Sequence, residues 1–187
     1  NIPHANVYTF SEKFLRIEFD NCRFINIKGT IATEFLQSIK FHKCKHRGHD
    51  EYFINCKDGY DIRVSFAEFE SAGRGFKFTG LLRSACFDDI LYQSSLSPLL
   101  NAAGAFCVSI NNGYFELNTD SEIYIGDNFG NVSACVTISN NIFMPSEALA
   151  NDSSYYSIRV GNSENIFLYC NSSTANLCDN QNSMPFG

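Results

Sequence analysis

Glu18 and Asp20 stand two residues apart in the phrase IEFD, and Asp61 opens a second phrase, DIRV, in which Arg63 follows at the same spacing. In an extended strand, residues i and i+2 project from one face roughly 6.6 Å apart. Two carboxyl groups about 6.5 to 9.5 Å apart, one donating a proton and one activating water, are what inverting glycoside hydrolysis needs, and a separation of about 5.5 Å suits retention. Glu18 and Asp20 meet the inverting spacing. Asp20 and Asp61, if they stood two coils apart, would be about 9.6 Å apart by the spacing of parallel strands. Glu68 and Glu70 form a second pair of the same kind. Lys40, His42, Arg63 and Tyr60 lie in the same stretch, where they would position a polyhydroxylated substrate. A lyase would instead take Lys40 or Arg63 as base, beside groups that neutralise a uronate. The plain alternative is an ion-pair ladder in which Glu18, Lys40 and Arg63 alternate in sign.

Those residues need a scaffold that stacks them, and a repeat supplies it. The phrases IEFDNCRF (from Ile17), IKFHKCKH (Ile39), IRVSFAEF (Ile62), VSINNGYF (Val108), VTISNNIF (Val136) and IRVGNSEN (Ile158) share an apolar, x, apolar pattern. A turn-prone pair then follows, and in several phrases an aromatic. Their starts are 22, 23, 46, 28 and 22 residues apart, so a degenerate copy is expected near residue 85, at ACFDDILY. A period near 22 with two-residue alternation is too short for a propeller blade, and the leucine-rich consensus is absent. The expected fold is therefore all-β, a right-handed parallel β-helix of about seven coils. Second strands are expected at 51–55, 75–78, 114–125 and 165–170.

Residues 14–171 are assigned to the helix, 1–13 to a lead-in or cap and 172–187 to a polar cap or linker. The stretch 87–106 mixes helix-like apolar spacing with Pro98 and Gly104, and reads as a loop or short helical excursion. In this register Ile17, Ile39, Ile62, Val108, Val136 and Ile158 form one inward column, and Phe19, Phe41, Val64, Ile110, Ile138 and Val160 the next. Asn112, Asn140 and Asn162 share a corner at which asparagine tolerates a left-handed backbone. Tyr60, Tyr92, Tyr114 and Tyr124 are expected near the polar face.

Composition narrows the functions. Net charge is −6, with only 14 Lys and Arg, so the basic stripe that phosphate backbones require is missing and nucleic acid is not expected as a partner. No apolar run is long enough to cross a membrane, so no membrane insertion is expected. The start at NIPHANVYTF, without Met, is expected of a fragment or a processed product. The eight cysteines have no CxxC pair, and Cys44 with His46 and His49 makes a poor zinc pattern; no metal or other cofactor is expected. Stacking of Cys22 on Cys44 and of Cys107 on Cys135 fits reduced, buried thiols. Sequons stand at Asn131, Asn151 and Asn171.

The ladder of short strands with Asn turns, the high Phe and Tyr content and the cysteines without disulfide spacing resemble the β-helical tailspikes and receptor-binding fibres of bacteriophages. The resemblance covers most of residues 14–171 and is architectural. It implies a homotrimer on the virion tail or in the extracellular medium, assembled in the host cytoplasm, that binds bacterial surface polysaccharide and in enzymatic members cleaves it. Under it Glu18, Asp20 and Asp61 would be the catalytic acids, and Lys40, His42, Arg63 and Tyr60 the substrate-binding residues. The chain departs from the type in its shortness and in having no Trp. An adhesive module, a polysaccharide lyase and an extracellular viral glycoprotein stay open beside it.

Overall fold

The computed structural model describes residues 6–9, 16–26, 29–48, 51–126, 134–161 and 166–178. The strands run in chain order as β1 (Asn6–Thr9), β2 (Ile17–Asp20), β3 (Arg23–Ile25), β4 (Gly29–Leu36), β5 (Ile39–His42) and β6 (Lys45–Arg47). The long strands β7 (Tyr52–Glu70), β8 (Arg74–Gln93) and β9 (Leu100–Asn111) follow. Then come β10 (Tyr114–Glu116), β11 (Ile123–Ile125), β12 (Ala134–Ser139), β13 (Ile142–Met144), the single helix among the described residues, α1 (Glu147–Ala150), β14 (Ile158–Val160), β15 (Ile166–Tyr169) and β16 (Ser172–Ser173). Every strand pairing is parallel, and the chain winds as an all-β parallel solenoid. About four turns pass through all three faces without a break in the described residues, at 29–47, 52–70, 74–93 and 100–116, fewer than the about seven coils expected. The ladders gain rungs at both ends, where the connecting corners fall outside those residues.

The first face stacks β1, β4, β7, β8, β9, β11 and β14. The second stacks β2, β5, β7, β8, β9, β12 and β15, and the third β3, β6, β7, β8, β10, β13 and β16. Residues 6–9, expected as a lead-in, thus already lie in a ladder. What bends the strands at most corners is a single left-handed residue; the corner at Gln37 and Ser38 turns without one. Asn21, Lys43, Phe66, Asp89, Asn112, Asn140 and Cys170 have φ between 52 and 55° at the second corner; Asp61, Ser84, Cys107 and Cys135 do the same at the first. Asn26, Gly48, Ser71, Ser94 and Leu117 occupy the third. Left-handed conformation costs an L-residue roughly 1–2 kcal/mol, and uninterrupted interchain-like pairing around the corner offsets it. Of the expected asparagine corner, Asn112 and Asn140 are in place and Asn162 lies outside the described residues.

The core follows from the ladders. Ile17, Ile39, Ile62, Ala85, Val108 and Val136 share one column, which confirms the degenerate copy near residue 85. Its next member is Ile166; Ile158 stacks on Ile123 on the first face instead. The adjacent column likewise ends in Leu168, and Val160 stacks on Ile125. The sequence register slips there because residues 145–157, with α1, lengthen the last turn, so a 22-residue step from Val136 lands on the wrong face. On the third face Phe24, His46, Phe69, Tyr92, Phe115 and Phe143 form one interior ring stack; His46 lies flat between Phe24 (4.9 Å) and Phe69 (4.2 Å).

Residues 87–106 are no excursion. Residues 87–93 finish β8, 94–99 make the corner, and 100–106 begin β9. Asp89 in the left-handed region resets the two-residue alternation, so Phe87, Ile90 and Tyr92 all point inward at helix-like spacing. Buried Tyr92 then pins the corner, its single hydroxyl proton shared among the carbonyls of Gly73 (3.1 Å), Pro98 (3.3 Å) and Leu96 that surround it.

Inward asparagines bridge the rungs after the second corner. Asn141 accepts from the Gly113 amide (2.7 Å) and donates to the Ile110 carbonyl (3.0 Å); Asn171 does the same for Asn141 N (3.1 Å) and Ile138 O (2.8 Å). These amides stand one position beyond the expected corner column, because the corner residue itself points out and the following one points in.

Candidate functional site

The outward side chains of the second face do collect charge. Glu18, Lys40 and Arg63 form one column, and Asp20, His42 and Ser65 the next. Lys40 Nζ lies 3.9 Å from Glu18, and His42 Nδ1 is 2.9 Å from Ser65 Oγ, with its ring edge-on to Phe66 at 5.5 Å. Each such exposed ion pair contributes on the order of 0.2–1 kcal/mol. Asp61 does not join this surface. It turns the first corner, where its Oδ2 accepts from Ser38 (3.1 Å) and its Oδ1 from Arg63 Nε (3.0 Å). It is four residues before Ser65, the rung-mate of Asp20's column, so the two aspartates are offset along the strand as well as by two rungs and do not form the stacked pair that the periodicity suggested. Glu68 and Glu70, on the third face, are each met by a cation, Lys45 at 2.7 Å and Arg47 at 3.5 Å.

A groove forms at the first corner. Between the first and second faces the column Gln37, Tyr60, Arg83, Phe106 runs up the solenoid, with Tyr60 47% and Phe106 37% exposed. On one side of Tyr60 lies a cavity of about 310 Å³ bounded by Phe35, Asp58, Gly59, Leu81 and Arg83. On the other lies one of about 270 Å³ bounded by Arg16, Gln37, Ser38 and Asp61. The groove exists because the rungs shift register here, between Cys56 and Gly59 and between Phe78 and Leu81. Asp58 fixes that bulge: its Oδ1 accepts the Leu81 amide at 2.7 Å, and a side chain at Gly80 would strike the same oxygen. An aromatic ring flanked by two guanidiniums, two carboxylates and an amide offers what a sugar requires, an apolar platform for its C–H face and partners for its hydroxyls.

Of the sequence-derived set, then, Tyr60 and Asp61 line the groove, and Arg63 braces Asp61. Glu18, Asp20, Lys40 and His42 lie on the neighbouring face outside it. Arg16, Asp58, Arg83 and Phe106 were missed as site residues. The signal available for them was the two-residue spacing from Asp58 to Tyr60, which needs the bulge to become visible. The other tyrosines disperse: Tyr92 is interior, Tyr114 is on the third face, and Tyr124 is on the first, beneath the Arg159 guanidinium at 5.8 Å.

The carboxyl with the most altered environment is Glu122, wholly buried at the third corner. Burial pushes its pKa up to about 8, against the hydrogen bonds from Tyr155 Oη (2.9 and 3.2 Å to its two oxygens). It is sealed inside the solenoid and faces no substrate.

Among the described residues no group of His, Cys, Asp and Glu is arranged to hold a metal; Cys44 and His46 face the interior and His49 lies outside those residues. No two of the eight cysteines are joined in a disulfide. Cys44 and Cys56 are buried, and burial raises both thiols, Cys56 to about 12. Cys107 and Cys135, expected inside, are exposed, because left-handed corner residues point outward. Sequon Asn151 is exposed, the amide of Asn171 is consumed in the interior ladder, and Asn131 lies outside the described residues. No helix of the described residues is long and apolar enough to cross a membrane. Compared with known proteins, the chain matches no family model, no curated protein and no solved structure.

Proposed function

We propose that this chain is a receptor-binding module of the tailspike kind, which holds bacterial surface polysaccharide along the flank of its solenoid. The observation that carries the proposal is the Tyr60 groove, a half-exposed ring between two cavities lined by hydrogen-bonding side chains and set on a rigid parallel ladder. A repeating glycan matches a repeating scaffold, since successive sugars meet successive rungs. Winding is taken as right-handed, the hand that parallel crossovers favour.

The module is read as adhesive. Glu18 faces Lys40, Glu68 and Glu70 are held by Lys45 and Arg47, and Asp61 is held by Ser38 and Arg63, so the exposed acids weighed for catalysis, Asp20 apart, are engaged in structure. A homotrimer on the virion tail belongs to the same reading. Tyr114, Ile142 and Met144 on the third face, with Leu117 at its corner, give an apolar strip (Ile142 44%, Leu117 51% exposed) suited to contact between copies.

The test is binding of the native chain and Tyr60→Ala to an array of purified bacterial surface polysaccharides. Native binding to at least one polymer with a loss of about tenfold or more in the variant, about 1.4 kcal/mol, is expected. Binding that ignores Tyr60, or none on any polymer, refutes the proposal.

A further inference from the structure

The charges around Tyr60 are unequal in what they have left to offer. Asp61 already accepts from Ser38 and from Arg63 Nε, and Asp58 already accepts the Leu81 amide at the bulge. Arg83 and Arg16, in contrast, form no ion pair among the described residues, and both are exposed at the lips of the two cavities. Arg63 brings a third guanidinium to the same corner, its Nη2 3.5 Å from Ser84 Oγ. Three guanidiniums therefore outnumber two carboxylates, of which Asp61 is paired with Arg63 and Asp58 holds the Leu81 amide. A guanidinium presents paired N–H groups in a plane that fits a carboxylate with two parallel hydrogen bonds.

Resting on the glycan-binding reading, we propose that the Tyr60 groove selects acidic polysaccharide. A uronic acid residue stacks its ring on Tyr60 and sets its carboxylate against Arg83, with Arg16 receiving the acid of a neighbouring unit. The chain's overall negative charge does not oppose this, since at physiological salt exposed charges are screened beyond about 8 Å. Phe106, next above Arg83, gives the chain of sugars a second platform one rung along.

The experiment measures affinity of the full chain for uronate-bearing capsular polysaccharides, for the same polymers with their carboxyls reduced to alcohols, and for phosphate-bearing teichoic acid. Native protein and Arg83→Gln are compared, with far-ultraviolet circular dichroism confirming that the exposed substitution leaves the fold intact. Binding to a uronate polymer should fall about tenfold or more on carboxyl reduction. Arg83→Gln should lose a similar factor on the acidic polymer and almost nothing on the reduced one. Equal affinity for acidic and reduced forms overturns the selectivity while sparing glycan binding, and preference for teichoic acid over every uronate polymer overturns the uronate assignment. Absence of binding to all polymers overturns the inference together with the reading beneath it.

Discussion

Glu122→Gln should make the solenoid nearly indifferent to pH across a range where the native protein weakens. The native carboxyl is raised from 4.5 to about 8 by burial, while the unfolded chain titrates near the ordinary value. A raised acid pKa means that the folded state holds its proton more tightly than the unfolded one. The stability due to that proton is complete below about pH 4.5 and is lost as pH rises toward about 8. At about 1.36 kcal/mol per pH unit the whole effect is about 5 kcal/mol, and about 3 kcal/mol of it falls between about pH 5 and pH 7.5. The tyrosines in the same region, Tyr92 and Tyr155, are raised from 10 by burial, so neither titrates in that window. Glutamine keeps the shape and can still accept from Tyr155 without carrying a charge. Urea unfolding at the two pH values is the assay: the native protein should lose about 3 kcal/mol and Glu122→Gln less than about 1. A native stability that is flat between them, or an equal slope in the variant, would show that the Glu122 proton does not set the pH dependence.

Asn141→Ala leaves the buried Gly113 amide and Ile110 carbonyl without their partner, at about 1–3 kcal/mol each; urea unfolding should show a loss of about 3 kcal/mol. Gly75→Ala would drive a methyl into the Leu99 carbonyl oxygen, a backbone atom that cannot swing away, and is expected to cost at least about 1–3 kcal/mol by the same measurement. Thiol labelling of the native protein at neutral pH should modify the exposed Cys107, Cys135 and Cys170 first and leave Cys44 and Cys56 until unfolding, since burial both shields those two and raises their thiols.

The strand phrases were legible because parallel ladders repeat apolar residues at one period, and the columns from Ile17 to Val136 follow from that alone. Corners were legible only where asparagine marks them. Phe66, Leu117, Cys107 and Lys43 adopt the same left-handed geometry without any favourable local propensity, because pairing with neighbouring rungs imposes it. That imposed reset also made 87–106 look helical and made Cys107 and Cys135 look interior. The misplacement of Ile158 has another cause, an insertion at 145–157 that the period cannot reveal. For the site, alternation alone placed Glu18, Lys40 and Arg63 in one column correctly. It could not place Asp61 and Tyr60 in a groove, because the groove is made by a bulge whose partners, Asp58 and the Leu81 amide, are 23 residues apart.

A glycan held at the Tyr60 groove should be visible in a crystal structure of the chain with an oligosaccharide cut from the polysaccharide it binds most tightly. The sugar chain should lie along the column of Gln37, Tyr60, Arg83 and Phe106, with one pyranose face on the Tyr60 ring. A saccharide bound instead across Glu18, Lys40 and His42 on the second face, or on the first face at Tyr124 and Arg159, would rule out the Tyr60 groove as the glycan site.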